Sequence, residues 1–364
     1  VGTVQENQVN LYVGTAGGGI WKSLNGGVTF IPLFDKYCQS IGALAIDPKS
    51  AKTIYAGTGE SNMRNSVSIG DGIYKTTDAG ANWQKMGLDS TEHISKIIID
   101  PTDSKHIWVA APGPLWSSSS HRGLYETNDG GKTWNKNLYV DENTGCADIA
   151  MSPRDPKILF ASFWQFRRKP YSFNSGGKGS GLYKSIDGGK TWVTNKSING
   201  DVHVDQHYFL FPKSIPGAFI CCNDGGIFMT TNYKESYLTW KSKNYMLNTL
   251  EIYNCAIHPF SLDTIIAGCQ DNGYCKFEND MNNWRIIGGD GFCTIYDYEN
   301  PNYFYHEYLD ENIHRANDGF IWWSSKKMEG LPAGAGFYDG ITENVDWYGQ
   351  AIAQSPKDPK ILYL

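Results

Sequence analysis

The sequence predicts an all-β chain folded as a seven-bladed β-propeller, and three observations carry the prediction. A short hairpin recurs with one turn chemistry: S-L-N-G-G-V-T-F at Ser23–Phe30, T-T-D-A-G-A-N-W at Thr76–Trp83, T-N-D-G-G-K-T-W at Thr127–Trp134 and S-I-D-G-G-K-T-W at Ser185–Trp192. An apolar run ending in a proline turn recurs at Pro48, Pro101, Pro153, Pro212, Pro259, Pro301 and Pro356. Successive prolines are 53, 52, 59, 47, 42 and 55 residues apart, and the hairpin aromatics Phe30, Trp83, Trp134 and Trp192 are 53, 51 and 58 apart. Two independent markers that lengthen and shorten together mean one repeated unit carrying loop insertions.

Each element of the unit follows in order. The apolar run before the proline is the first strand, and a second β run follows it, as in T-I-Y-A-G at Thr53–Gly57 or K-I-L-F-A at Lys157–Ala161. The recurrent hairpin supplies the last two strands: Asp accepts from turn amides, Gly takes positive φ without a Cβ penalty, and the aromatic has a large apolar body to bury. Four strands per unit make a propeller blade, and a closed ring hides its sheet edges.

Blade ends count to seven at Phe30, Trp83, Trp134, Trp192, Trp240, Trp284 and the Trp322–Trp323 pair. The last three hairpins are degraded: Tyr233–Tyr237 interrupts one, and Asn279–Trp284 and Ala316–Phe320 keep fragments. Residues 1–340 are thus read as the propeller. Residues 341–364 either close the ring, through Trp347–Gln354, or begin a further repeat, since Ile361–Leu364 duplicates Asn10–Val13. The chain starts at Val1 with neither Met nor a signal peptide, which reads as a mature product or part of a longer chain.

Composition narrows the function classes. Forty glycines and 14% aromatics suit short strands joined by tight turns. With 19% charged residues and a net charge of -6, the chain lacks the basic face that nucleic acid requires. No apolar run approaches the 18 residues or so of a membrane span. The eight cysteines form no CxxC pair, so a zinc ribbon is excluded. Cys146 and Cys255 read as buried free thiols in apolar strands, and Cys269 and Cys275 flank a turn across which they could pair.

The hairpins fit (S/T)-x-(D/N)-x-G-x-x-(W/F), which resembles the Asp-box of sialidase-like and sortilin-like propellers. G-T-A-G-G-G-I-W-K-S at Gly14–Ser23, S-I-G-D-G-I-Y-K-T at Ser68–Thr76, N-D-G-G at Asn223–Gly226 and Q-D-N-G at Gln270–Gly273 widen the likeness. Over nearly the whole chain it resembles bacterial sortilin-like, BNR-repeat proteins, often labelled glycosyl hydrolases by similarity. The resemblance implies the propeller and leaves both binders and hydrolases open, because fold does not fix function. It also implies that Asp78, Asp129 and Asp187, with Asn25 at the first copy, hold hairpins and take no part in catalysis. The seven arginines miss the positions a sialidase needs, so that activity is not expected.

Three sets of residues are candidates for chemistry. His203, Asp205 and His207 lie at i, i+2 and i+4, so on a strand they face one way and could hold a divalent metal, or simply line a polar channel. Asp224, Asp271 and Asp290, with Asp205, lie in or near Gly-rich turns and offer the paired carboxylates of glycoside hydrolysis, or else cap those turns. The insertion Phe163–Ser180 joins aromatics to cations: Trp164, Phe166, Arg167, Arg168, Tyr171 and Asn174 are its expected ligand contacts. Ser61–Gly70 and Ala111–His121 are insertions at matching positions and should rise on the same face.

The expected function is therefore a secreted, periplasmic or cell-surface binding or scaffold module that recognises glycan or protein. The alternative is a glycoside hydrolase using paired carboxylates. A third reading is a sortilin-like peptide receptor. No cofactor is required beyond the divalent metal considered above.

Overall fold

The structure is a computed structural model that describes residues 2–5, 8–64, 66–170, 172–194, 202, 206–212, 215–235, 237–244, 247, 250–278, 280–287, 291–308, 312–317, 326–327, 352–358 and 360–363. Among them are 31 strands and a single three-residue helical turn, Asp89–Thr91. Seven antiparallel sheets of four or five strands follow one another along the chain, each built from consecutive strands in sequence order. A two-stranded pair, Ala353–Gln354 with Leu362–Tyr363, ends the chain. That pair has the turn that joins the first two strands elsewhere: Ser355 N donates to Ile361 O as Ser152 N does to Ile158 O.

Contacts divide the chain into two compact units. One comprises Val1–Asn223 with Ile227–Lys243, the other Asp224–Gly226 with Asn244–Leu364. This division falls at residues 223–244, whereas the sequence reading places a boundary at 340. Residues 328–350 lie outside the described residues.

In the first unit, alternation along a strand sends neighbouring side chains into different cores. Along Ile107–Ala111, Ile107, Val109 and Ala111 pack toward the second sheet, while Trp108 and Ala110 pack toward the fourth. Both faces are covered, so the strand reads as a continuous apolar run with no polar alternation. The second unit has a core of its own around Ile266, Tyr274, Tyr296 and Phe304.

The recurrent hairpin turns share one set of hydrogen bonds. In the second sheet the Thr76 hydroxyl donates to Asp78 Oδ1 (2.7 Å), Gly80 N donates to Thr76 Oγ1 (3.0 Å) and Asn82 N donates to Asp78 Oδ1 (2.9 Å). The same bonds recur at Ser23–Asn25–Gly27–Thr29, Thr127–Asp129–Gly131–Thr133 and Ser185–Asp187–Gly189–Thr191. A fifth copy survives the interruption at Tyr233–Tyr237, with Thr230 Oγ1 and Thr239 N both donating to Asn232 Oδ1. These bonds favour the ionised acid and pull Asp78 and Asp187 down to about 2.

The hairpin aromatics reach back to the preceding sheet. Trp134 Nε1 donates to Met86 O and Trp192 Nε1 to Asn137 Oδ1, both at 2.7 Å. Phe30, the aromatic of the first hairpin, is 41% exposed. Cys269 and Cys275 are buried free thiols with their sulfurs 3.5 Å apart, so the cross-hairpin pair is close but unbonded. Cys146 is buried as expected, whereas Cys255 is exposed, on a strand whose residues are mostly exposed.

Candidate functional site

In the first unit, connections between second and third strands meet those that lead into the next sheet, and together they make a loop face. Gly59 N donates to Ser40 O, Gly70 N to Glu92 O, Ser119 N to Glu142 O and Phe166 N to Asn143 O, all between 2.7 and 3.0 Å. The second and third insertions are joined directly, with Arg168 N donating to Leu115 O at 3.1 Å, while the first meets the segment at Glu92. Glycine is required where backbones cross: Gly59 has φ +88°, and a Cβ there would overlap the Glu92 carbonyl oxygen.

The third insertion is an extension of a strand rather than a free loop. Leu159–Lys169 runs for 11 residues, and its outer half pairs with Ser172–Ser175. Among the predicted ligand contacts, Phe166 is fully buried and Arg168 nearly so. The two therefore build the loop from inside, and neither presents a surface. Trp164 is half-buried and stacks on Phe166, with centroids 4.6 Å apart and planes at 29°. Arg167 is half-buried, and its Nη1 donates to Asn143 Oδ1 at 3.5 Å. Asn174 is exposed, and its carbonyl accepts from Arg168 Nη1 at 2.6 Å. Tyr171 lies outside the described residues.

Beneath these residues sits a cluster that the sequence did not single out. Arg122 is fully buried; Nη1 donates to Pro112 O (2.7 Å), and Nη2 to Ser117 O (3.2 Å) and to Pro114 O. Its guanidinium lies 4.5 Å from the Phe166 centroid. Burial, then the like charge of Arg167, push it down to about 10, so it keeps its proton at neutral pH. His93 is also fully buried; burial outweighs the nearby Glu60 main chain and carboxylate and pushes it down to about 4. Neither ring nitrogen makes a hydrogen bond of full geometry. Glu60 is buried and paired with Arg64. Glu92 has a strained backbone, with φ 58° and ψ -36°, and burial raises its carboxyl against the pull of Arg122. The one available signal was local: E-H-I-S at Glu92–Ser95 puts two titratable groups immediately before a first strand.

The first strands carry a second missed feature. Thr144–Met151 has a bulge between Cys146 and Asp148, which re-aims the Asp148 side chain at the next sheet. Asp148 is buried; Oδ2 accepts from Phe209 N (3.0 Å) and Oδ1 lies 3.4 Å from Lys96 Nζ. Burial raises its pKa despite Lys96 and the amides. Lys96 Nζ sits 4.2 Å from the centroid of the exposed Tyr208 ring. A bulge cannot be read from composition.

Of the predicted metal set, His207 is exposed on the strand Gln206–Leu210, while His203 and Asp205 lie outside the described residues. Among the described residues no three His, Cys, Asp or Glu side chains are grouped to hold a metal ion. Of the predicted carboxylates, Asp205 and Asp290 also lie outside. Asp224 and Asp271 are half-buried in the second unit, each in a hairpin turn. Asn272 Nδ2 donates to Asp224 O at 3.1 Å, which ties the two turns together. Asp271 holds a left-handed backbone, φ 56°, a conformation that Asp tolerates better than most residues. Among the described residues no helix is long and apolar enough to cross a membrane.

No protein-family profile matches the chain. It is 27% identical over 211 residues to the xyloglucanase Xgh74A of Acetivibrio thermocellus, a stretch that covers 50% of this chain and 23% of that protein. It is 24% identical over 213 residues to a xyloglucanase of Paenibacillus sp., covering 50% and 19%. Among solved structures it resembles a Niastella koreensis GH74 enzyme, with a TM-score of 0.51 at 15% identity over 88% of this chain and 54% of that one. A second solved structure, YCF48 bound to a D1 peptide, gives a TM-score of 0.42 at 13% identity over 82% of this chain and 86% of that one. The matched stretches thus span about a quarter or less of the curated xyloglucanases. The chain is an all-β array of four-stranded antiparallel sheets of the propeller type, similar over half its length to xyloglucanases.

Proposed function

We propose that this chain is the propeller, or part of one, of a glycoside hydrolase that acts on polysaccharide outside the cytoplasm. The similarity to two xyloglucanases over half the chain carries the reading, and it favours the hydrolase over the plain scaffold. The seven successive sheets support seven blades, and the shared turn bonds support Asp-boxes. Asp224 and Asp271, on turns tied together by Asn272, are the proposed carboxylate pair. The purified chain incubated with xyloglucan should release reducing ends, and Asp224→Asn or Asp271→Asn should cut the rate at least 100-fold with unchanged thermal stability. No release above a no-protein blank would sink the hydrolase.

A glycan-binding module without turnover is the second reading, favoured by the exposed rings on the loop face. Trp116 is half-exposed and Tyr139 is 39% exposed, and flat apolar rings of this kind stack on sugars. Retention on xyloglucan without cleavage would select it.

A further inference from the structure

On the loop face Arg122 feels the like charge of Arg167, which Asp141 and Glu92 oppose from further away. Among the described residues, neither Arg122 nor Arg167 has a carboxylate within ion-pair distance. Every acceptor of Arg122 is a main-chain carbonyl, and Arg167 has only the side-chain amide oxygen of Asn143. Three donors are shut off from solvent with no hydrogen-bond partner: Arg122 Nε, Arg167 Nε and Trp164 Nε1. Trp164, Phe166 and Arg122 form one stack, and Arg167 is near enough for its charge to act on Arg122.

A structural role accounts for part of this arrangement. The two Nη atoms of Arg122 fasten the loop at residues 112–122. That role explains the hydrogen bonds but leaves two guanidiniums near each other with no carboxylate in direct contact. Carbonyl dipoles solvate a guanidinium without cancelling its charge, and a second guanidinium close by makes burial costlier. An anion on the Nη side of the half-buried Arg167 would offset that repulsion.

We propose that Arg167, backed by Arg122, binds the anionic group of an acidic glycan, a carboxylate or a sulfate ester, beside the half-buried ring of Trp164. The inference rests on the polysaccharide reading above and names a substrate class within it. The guanidinium fork of Arg167 matches the paired oxygens of either anion. The half-buried ring of Trp164 takes the sugar ring, and the exposed rings of Trp116 and Tyr139 lie on neighbouring loop segments. A peptide carboxylate would use the same cation, but a flat indole beside it suits a pyranose better.

The test is affinity electrophoresis of the whole chain in gels containing polygalacturonate, its methyl ester, dextran sulfate, xyloglucan or an acidic peptide conjugate. Polygalacturonate should retard the chain, its uncharged ester should not, and the retardation should fall with added salt. Arg167→Gln should weaken retention at least tenfold, Arg167→Lys less, and Trp164→Leu should lose part of it by removing the flat ring. Arg167 and Trp164 are half-buried, so these variants should fold, and matching melting curves confirm it. Retention by dextran sulfate alone, if lost in Arg167→Gln, supports the anion site and assigns it to sulfate esters. Equal retention by the acid and its ester, retention unaffected by Arg167→Gln, or retention by the peptide alone overturns the proposal. Xyloglucan separates the two readings. Acidic-glycan binding with no action on xyloglucan leaves this site standing and removes the xyloglucanase reading, whereas the reverse removes only the site.

Discussion

The guanidinium of Arg122 and the ring of Phe166 lie 4.5 Å apart and join the loop of the third sheet to the extended strand of the fourth. The ring is fully buried and is stacked on its other side by Trp164. Phe166→Ala should therefore lower stability by about 3 to 5 kcal/mol, the usual cost of truncating a buried Phe. Phe166→Leu, which keeps most of the volume, should cost less. Urea unfolding of the two variants measures the difference, and equal costs would deny the ring its role as a platform.

His93 and His106 should give pH dependences of opposite sign. His93 is held down at about 4 by burial, against about 6.5 in the unfolded chain, so the unfolded state binds the extra proton between these values. Its contribution is intact above 6.5, is lost as pH falls toward 4, and amounts to roughly 3 kcal/mol when complete. His93→Phe should flatten the stability profile over that window.

His106 bridges two carboxylates, with Nδ1 3.1 Å from Asp100 and Nε2 2.9 Å from Glu126. The hydrogen bond to Glu126 outweighs burial and raises its pKa. The folded state holds the proton longer, so this stabilisation is full below about 6.5 and disappears as pH rises through the raised value. The stability gap between wild type and His106→Gln should narrow between pH 6 and pH 9. A gap that widens instead would show that the imidazole is neutral in the folded protein.

The hairpin turns should weaken in acid. Asp187 is lowered by its bonds from Thr191 and Ser185, so its contribution is present above its unfolded value of about 4 and fades as pH drops through about 2. Asp187→Ala should reduce the melting temperature at pH 7 yet leave it little changed at pH 2. Glycan retention measured well below the melting temperature should be unaffected, since the carboxylate serves the turn alone.

Gly59 is a sensitive backbone position of the loop face. Gly59→Ala would place a methyl group against the Glu92 carbonyl at a positive φ. The loop has to shift, and Gly59→Ala should lose more stability than the 1 kcal/mol or so of a tolerated glycine substitution. Thermal melting checks it.

Local chemistry was legible in the residues alone. The proline turns, the Asp and Gly hairpins and the alternating or continuous apolar runs give the strand order of each sheet, because strand period and turn chemistry act over a few neighbouring residues. The carboxylate turns at Asp224 and Asp271 were legible for the same reason. The direction of the insertion at 163–180 was not. L-F-A-S-F-W-Q-F-R-R-K continues a strand, yet which side chains turn inward depends on the loop at 112–122, more than 40 residues earlier, which covers Phe166 and supplies Arg122. The bulge that swings Asp148 toward Phe209 and Lys96 is likewise set by pairing between strands. Burial, orphaned donors and displaced pKa values arise where distant segments meet, and only the folded chain brings Arg122, Phe166 and Trp164 into one stack with Arg167 nearby.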